Sequence, residues 1–286
     1  MSASDLAAAN ANHPDSANQP RQLTPAIAIA DLQQTEDTSK RYYAAWWLGN
    51  QGVTDEAARQ ALIEALADET DRSPDGGYPL RRNAAKALGK VGHSAAVEPL
   101  VNCLACEDYY VRESAAQALA ALGDRRAIAP LVALLAGGVA AAIAVPGKPH
   151  LVQPYDAILE ALGALGATTA IAAVEPFCHH ETVRISYSAH RAMYQLTGED
   201  RYAEVLVQAL QGRELQLRRS ALMDIGAIGY YPAARPVAET LAENSLKLIS
   251  LKGILEQTLR DHPDQMTDQP LTPETIATLQ LMDDLL

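Results

Sequence analysis

The amino-acid sequence predicts an all-α protein whose helix pairs stack into a right-handed α-solenoid. Alanine, the strongest helix former, makes up about one residue in five. A thirteen-residue signature also recurs without gaps, and looser copies end at Gly166 and Gly198. Its tight copies are residues 40–52, 80–92, 111–123 and 217–229. Because such units bury their apolar faces only against their neighbours, they predict a stacked array with a concave inner surface.

Each unit is predicted to contain two helices. The signature forms the first helix, and its closing glycine fits a helix C-cap. A second apolar segment follows, with Pro99, Pro130 or Pro236 near its start, where a missing backbone N–H costs least. The paired alanines inside the signature, such as Ala84 and Ala85, allow neighbouring helices to approach closely.

The charge balance argues against several classes of partner. With 35 acidic and 23 basic side chains, the formal charge of −12 repels phosphate backbones and anionic lipids. No stretch approaches the roughly 20 apolar residues of a spanning helix, and the first residues do not resemble a signal peptide. We therefore expect a cytoplasmic protein that binds no nucleic acid and does not insert into membranes. Its three cysteines do not make a disulfide framework.

The sequence divides into three predicted parts. Residues 1–21 are polar and rich in Ala, Asn and Pro, which predicts disorder. The repeat array covers 22–260, and 261–286 form a linker followed by a helix that begins at Thr272. Two insertions, 70–79 and 137–154, interrupt the array; they are either functional loops or tolerated surface insertions.

Aromatic residues occupy an unusual position in the first repeat. In other copies, the polar and variable positions of the signature helix are predicted to face the concave surface, as at Arg82, Asn83 and Lys86. The first copy has aromatic residues there, namely Tyr42, Tyr43 and Trp46, with Trp47 beside them. They form either a flat binding surface or a cap that packs under the N-terminal segment from Leu23 to Leu32. Tyr109 and Tyr110 are expected to line the same groove.

Arginine recurs at the start of the signature helices. The members of this series are Arg41, Arg81, Arg112, Arg184 and Arg218. Such a ladder is expected to bond carbonyls and acids of neighbouring repeats, and its exposed members are suited to binding carboxylates.

Catalytic motifs are scarce. Cys103 and Cys106 are one Cys-x-x-Cys pair without a second, so buried small side chains are a better interpretation than metal ligands. Cys178, His179, His180 and Glu181 form the densest polar cluster, but they lack a convincing zinc-ligand set. No metal site is predicted.

The signature resembles the HEAT-like repeats grouped with phycobilisome lyases. The segment 42–49, preceded by 33–37, resembles the E subunits of the cyanobacterial E/F-type bilin lyases, and 152–163 and 191–197 extend the resemblance. It covers about residues 23–260. The resemblance implies an enzyme that works as a heterodimer with an F-type HEAT-like subunit. Together they would attach phycocyanobilin by a thioether bond to a cysteine of the phycocyanin α apoprotein.

A bilin is a conjugated tetrapyrrole with two propionates, so its site requires stacking surfaces, cations and an acid near the pyrrole N–H groups. The predicted bilin-binding residues are Tyr42, Tyr43, Trp46, Trp47, Arg82, Tyr109, Tyr110, Tyr155 and Arg184. The candidates for the acid or base are Asp156, His179, His180 and Tyr187. The bilin is a substrate, and no cofactor is predicted. The attacking thiol belongs to the acceptor, which is consistent with the lack of a nucleophile motif.

Two alternatives remain open. One is a non-catalytic HEAT-repeat adaptor or chaperone for phycobiliproteins, which would hold a protein on its concave face. The other is a lyase subunit for a different bilin or a different phycobiliprotein chain.

Overall fold

The computed structural model describes residues 23–261 and 270–286, and this part contains fifteen α-helices in two layers. The inner layer comprises α2 (Thr38–Asn50), α4 (Pro79–Val91), α6 (Tyr109–Leu122), α8 (Tyr155–Ala164), α10 (Val183–Thr197), α12 (Leu215–Ile228) and α14 (Asn244–Asp261). The outer layer comprises α1 (Pro25–Gln33), α3 (Glu56–Ala65), α5 (Val97–Cys103), α7 (Ile128–Ala133), α9 (Ile171–Val174), α11 (Asp200–Ala209), α13 (Ala234–Glu239) and α15 (Pro273–Asp283). The predicted all-α solenoid is confirmed, and each signature copy lies on an inner helix.

Small residues set the spacing of the inner layer. Each inner helix packs against the next one along the chain. A side chain at Gly49 would place its Cβ 2.7 Å from Ala87 Cα, and one at Gly226 would lie 2.9 Å from Ser250 Cα. The C-cap prediction is also confirmed, since Gly123 ends α6 with a φ of +68° in the left-handed region.

The arginine ladder is confirmed for most of its members. Arg41 Nε donates to the carbonyl of Leu32 (3.0 Å), and Arg112 Nη1 donates to that of Cys106 (2.6 Å). Arg81 and Arg218 bond carbonyls in the same way. Arg184 does not belong to the ladder, because it is the second residue of α10, whereas Arg112 is the fourth residue of α6. Ser186 stands in its place, and its hydroxyl donates to the carbonyl of Cys178 (2.7 Å).

The array has one inner helix more than the six signature copies in the sequence. Helix α14 is a seventh inner helix, whereas the signature copies indicated about six pairs. Helix α15 packs against α13 and α14, so the C-terminal helix joins the stack instead of standing apart. The predicted disordered segment 1–21 and most of the predicted linker lie outside the described residues.

Candidate functional site

Two positions on each of the first six inner helices face the concave groove. The first column consists of Tyr42, Arg82, Glu113, Asp156, Tyr187 and Arg219. One helical turn later, the second column consists of Trp46, Lys86, Gln117, Glu160, Arg191 and Met223. All twelve side chains are at least partly exposed. The groove is therefore aromatic at its first helix and charged at its centre.

The aromatic end of the groove is open. Tyr42, Tyr43 and Trp46 are 45%, 50% and 45% exposed, and the rings of Tyr43 and Trp46 stack with centroids 5.3 Å apart. Tyr42 and Trp46 line a cavity of about 530 Å³ between α2, α4 and α6. Because the segment from Leu23 to Leu32 leaves these side chains exposed, the prediction of a buried cap is wrong.

Of the three positions predicted to face the groove, those of Arg82 and Lys86 do so, and that of Asn83 does not. Asn83 and Ser114 are buried, because this position faces the preceding inner helix. Asn83 Nδ2 donates to the carbonyl of Tyr42 (3.2 Å), and Ser114 Oγ donates to that of Tyr110 (2.8 Å). Tyr43 has the same register, but α2 is the first inner helix, so its ring remains exposed.

Two predicted bilin-binding residues belong to the interior. Tyr155 is only 2% exposed and stacks on Phe177 with ring centroids 5.4 Å apart. Trp47 is partly buried and packs against the core. The prediction that these two side chains contact a ligand is corrected, since they pack helices together.

Ion pairs connect three inner helices at the centre of the groove. Glu160 of α8 accepts from Arg184 Nη2 (2.8 Å) and Arg191 Nη1 (3.2 Å) of α10. Arg191 Nη1 also contacts Asp224 of α12 (3.3 Å), and Arg184 Nε lies 3.7 Å from Asp156. This network fixes the arginines and presents Asp156 and Glu160 beside them.

The acids of this region retain protons more readily than free carboxyls. Burial, together with Glu160, raises the pKa of Asp224 to about 6 against the opposing effect of Arg191. Burial also raises the pKa of Asp156, and burial and Asp156 raise the pKa of Glu113. Asp156 and Glu113, which face the groove, therefore hold a proton more readily than a free carboxyl group does.

We expect the stability contribution of Asp224 to depend on pH. Because its folded-state pKa is raised, this contribution is fully present below the unfolded pKa, about 4, and is lost as the pH rises through about 6. Asp224→Asn removes this titration. The melting temperature of the Asp224→Asn variant minus that of the unsubstituted protein should therefore increase from pH 5 to pH 7.5. A difference that stays constant over this range would contradict the assignment.

The histidine cluster lies outside the two columns. His180 is buried beside Phe177, and its Nδ1 accepts a hydrogen bond from the Thr182 N–H (2.9 Å). His179 is exposed, and burial raises the pKa of the Cys178 thiol to about 12. Of the four acid–base candidates, only Asp156 and Tyr187 face the groove. Across the described ranges, no group of three or more His, Cys, Asp or Glu is arranged to hold a metal ion.

Sequence reasoning missed Glu160, Arg191 and Asp224. A signal was present for Asp224, because its position is alanine in the second and third tight copies, at Ala87 and Ala118, and is Trp47 only in the first. An acid at an otherwise small, buried position requires a partner, and here Arg191 is that partner.

Stacked helix pairs with an aromatic and charged inner face define a helical-repeat protein that can hold a ligand in its groove. Residues 40–68 match the model for the PBS lyase HEAT-like repeat, and residues 72–144 match that for HEAT repeats. The phycocyanobilin lyase subunit alpha of Picosynechococcus sp. is 65% identical over 259 residues, which cover 91% of this chain and 95% of that protein. This chain belongs to the family of phycocyanobilin lyase alpha subunits.

Two further comparisons support the same conclusion. The bilin biosynthesis protein PecE of Mastigocladus laminosus is 43% identical over 282 residues, covering 92% of this chain and 95% of that protein. A chain in the structure of the CpcE–CpcF complex of phycocyanin lyase from Nostoc sp. PCC7120 aligns with a TM-score of 0.86 and 54% identity. That alignment covers 96% of this chain and 99% of the other. Within the described ranges, no helix has the length and apolar character needed to cross a membrane.

Proposed function

We propose that this chain binds phycocyanobilin in its concave groove and, with an F-type partner, attaches it to a cysteine of the phycocyanin α subunit. The observation that carries the proposal is the exposed surface of Tyr42, Tyr43 and Trp46 at one end of the groove. A conjugated tetrapyrrole is large and flat, and exposed aromatic rings suit stacking against it. The relatives support phycocyanobilin over other bilins. The relatives named as phycocyanobilin lyase subunits are up to 65% identical to this chain, whereas PecE is 43% identical.

The reaction is an addition that needs no cofactor. The cysteine sulfur bonds to the exocyclic carbon of ring A, the carbon–carbon double bond becomes single, and a hydrogen ends on the neighbouring ring carbon. Nothing is oxidised or reduced. The chain holds the bilin in one orientation and moves a proton. Alignment of the reacting groups alone can lower the activation barrier by about 7 kcal/mol.

Asp156 is our candidate for the proton donor. It lies in the first column, and burial raises its pKa against the opposing effect of Arg184, whose Nε is 3.7 Å from its carboxylate. Tyr187 occupies the same column on the next inner helix and is the second candidate. The protonated carboxyl gives its proton to the bilin, and the thiol proton restores it.

The other end of the groove suits a protein partner. Met223 and Ile249 are 44% and 50% exposed, and Leu215 is also exposed. The relative from Nostoc was solved in a complex of CpcE with CpcF. We therefore assign this apolar end, together with the exposed Ile276 and Leu279 of α15, to the contact with the F-type subunit.

Reconstitution tests the proposed function. The chain alone, the F-type subunit alone and both together are incubated with phycocyanobilin and the α apoprotein, and covalent fluorescent product is measured. We expect rapid attachment only with both subunits. Efficient attachment by this chain alone would contradict the proposal that the F-type partner is required. If the chain increases only the yield of soluble α subunit, it acts as an adaptor.

A further inference from the structure

The two insertions of the array meet in space. Each precedes an inner helix, α4 for residues 70–79 and α8 for 137–154, so both lie at the edge where inner helices begin. Helix α6 begins between them. Together they enclose a notch of about 620 Å³, which adjoins the groove at Arg82. Neither insertion is therefore an isolated surface loop.

The second insertion holds its polar residues in fixed places. Pro146 and Gly147 occupy a tight turn that is closed by a hydrogen bond from Lys148 N–H to the Val145 carbonyl (3.0 Å), and Gly147 has a φ of +74°. The Val145 N–H donates to the His150 carbonyl (3.1 Å). Lys148 and His150 therefore sit on a defined turn at the notch.

The insertion is anchored to the inner layer. Arg112 Nη2 of α6 donates to the carbonyl of Val152 (2.8 Å), and its Nε donates to Gln153 (2.9 Å). An isolated antiparallel bridge joins Ala144 and Leu151. These contacts fix the position of the turn relative to the start of α6.

Aromatic rings form the floor of the notch. The imidazole of His150 stacks on Tyr109 with centroids 4.2 Å apart and an interplanar angle of 14°. It meets Tyr110 edge-on, with centroids 5.9 Å apart. The guanidinium of Arg82 lies 4.6 Å from the Tyr110 centroid. A flat cationic surface results.

Arg82 is oriented by a nearly buried acid. Its Nε donates to Asp108 Oδ2 (3.0 Å), whose side chain is 3% exposed. The first insertion approaches so closely that a Cβ at Gly77 would lie 2.3 Å from Arg82 Nη2, so a larger residue there would displace the guanidinium. Among the described residues, no acceptor bonds the two terminal nitrogens of Arg82, and no carboxylate lies within 4 Å of Lys148 Nζ.

Cations exceed acids in this notch, although the chain as a whole is strongly acidic. The four cations are Arg72, Arg82, Arg112 and Lys148, and the three carboxylates are Asp75, Glu107 and Asp108. Glu107 is held by Arg72 (3.0 Å), and Asp108 is held by Arg82. The exposed Asp75 carboxylate interacts electrostatically with Arg82 and Lys148, but it makes no hydrogen bond with the Arg82 Nη atoms and lies more than 4 Å from Lys148 Nζ, so both donors face the notch.

We propose that Arg82 and Lys148 bind a carboxylate, and that this carboxylate is a propionate of the bilin. The inference rests on the proposed function. Arg82 lies one helical turn before Lys86, which lines the groove beside Trp46. A tetrapyrrole stacked at the aromatic end can therefore extend a propionate arm of a few atoms to Arg82, whose planar guanidinium suits a carboxylate. The insertions thereby select the orientation in which ring A faces the acceptor thiol.

The test compares two ligands that differ only in whether their two propionates are free or esterified. The purified heterodimer, without acceptor protein, is titrated with phycocyanobilin as the free diacid and as its dimethyl ester, and the dissociation constants are measured from the bilin absorbance. We expect Lys148→Gln and Arg82→Gln each to weaken binding of the diacid about 5- to 10-fold and to leave the ester unchanged. Arg126→Gln, a matched change at an exposed arginine between α6 and α7, away from the notch and the groove, should alter neither constant.

Each other outcome is decisive. The carboxylate assignment is overturned if the variants bind the diacid and the ester equally more weakly, or if Lys148→Gln does not weaken binding of the diacid. Lys148 is exposed, so this variant should fold even if Arg82→Gln does not. An effect seen only when the α apoprotein is present would assign the notch to an acidic side chain of the acceptor and overturn the propionate. If neither ligand binds the unsubstituted heterodimer, the proposed function itself fails.

Discussion

Trp46→Ala is expected to slow bilin attachment about 10- to 30-fold while shifting the melting temperature by less than about 2 °C. The indole is nearly half exposed and stacks on Tyr43 at the open end of the groove. Removing it therefore creates no cavity in the core, but it does remove a stacking surface for the tetrapyrrole. Tyr43→Ala should act in the same direction with a smaller effect. Initial rates of covalent product and a melting curve are measured on the same preparations.

Trp47→Ala provides the matched control, because it removes the same side chain one residue later. Trp47 packs against the core, so this variant should lose about 2 kcal/mol of stability, and its activity should fall only as far as the protein unfolds. A large stability loss in Trp46→Ala, with activity falling in proportion, would contradict the binding surface at the aromatic end.

Arg41→Met is expected to lower the free energy of unfolding by about 3 kcal/mol. Arg41 Nη2 pairs with Asp68 at 2.7 Å, and both side chains are at most 10% exposed. Its Nε also satisfies the carbonyl of Leu32 (3.0 Å). The substitution leaves a nearly buried carboxylate without its cation. Denaturant unfolding measures the loss, and Arg235→Met, which breaks an exposed pair with Glu239, should cost less than about 1 kcal/mol.

The same pair predicts a pH dependence. Burial opposes ionisation of Asp68, but the Asp71 N–H and Arg41 outweigh it and lower its pKa. The stabilisation is therefore present above the unfolded pKa, about 4, and is lost as the pH falls through the folded value. The stability gap between Arg41→Met and the unsubstituted protein should narrow below about pH 4. A gap that is equally large at pH 3 would show that lost packing, and not the ion pair, causes the effect.

The periodic features of the sequence were enough to predict the layers. The glycine that ends each signature and the arginine that begins it recur in register, so the inner helices and most of the ladder could be placed from the sequence. Arg184 was misplaced, because it lies two residues before the ladder position in α10 and joins the network with Glu160 instead. The seventh inner helix was missed because Asn244–Asp261 carries no clear copy of the signature.

The site was harder to predict, since neighbouring helices decide what is exposed. Tyr43 and Asn83 share one register, yet only Tyr43 is exposed, because α2 has no inner helix before it. Tyr155 and Trp47 look like ligand contacts by residue type, but both pack inward. The notch could have been foreseen, since both insertions precede signature helices and hence share one edge of the solenoid.

A crystal structure of the heterodimer loaded with phycocyanobilin tests the account most directly. We expect the tetrapyrrole in the concave groove, stacked against Trp46, with one propionate within hydrogen-bond distance of Arg82 or Lys148. Bilin density on the outer layer, or a bilin that leaves the rings of Tyr42, Tyr43 and Trp46 uncovered, would contradict the assignment of the groove as the bilin site.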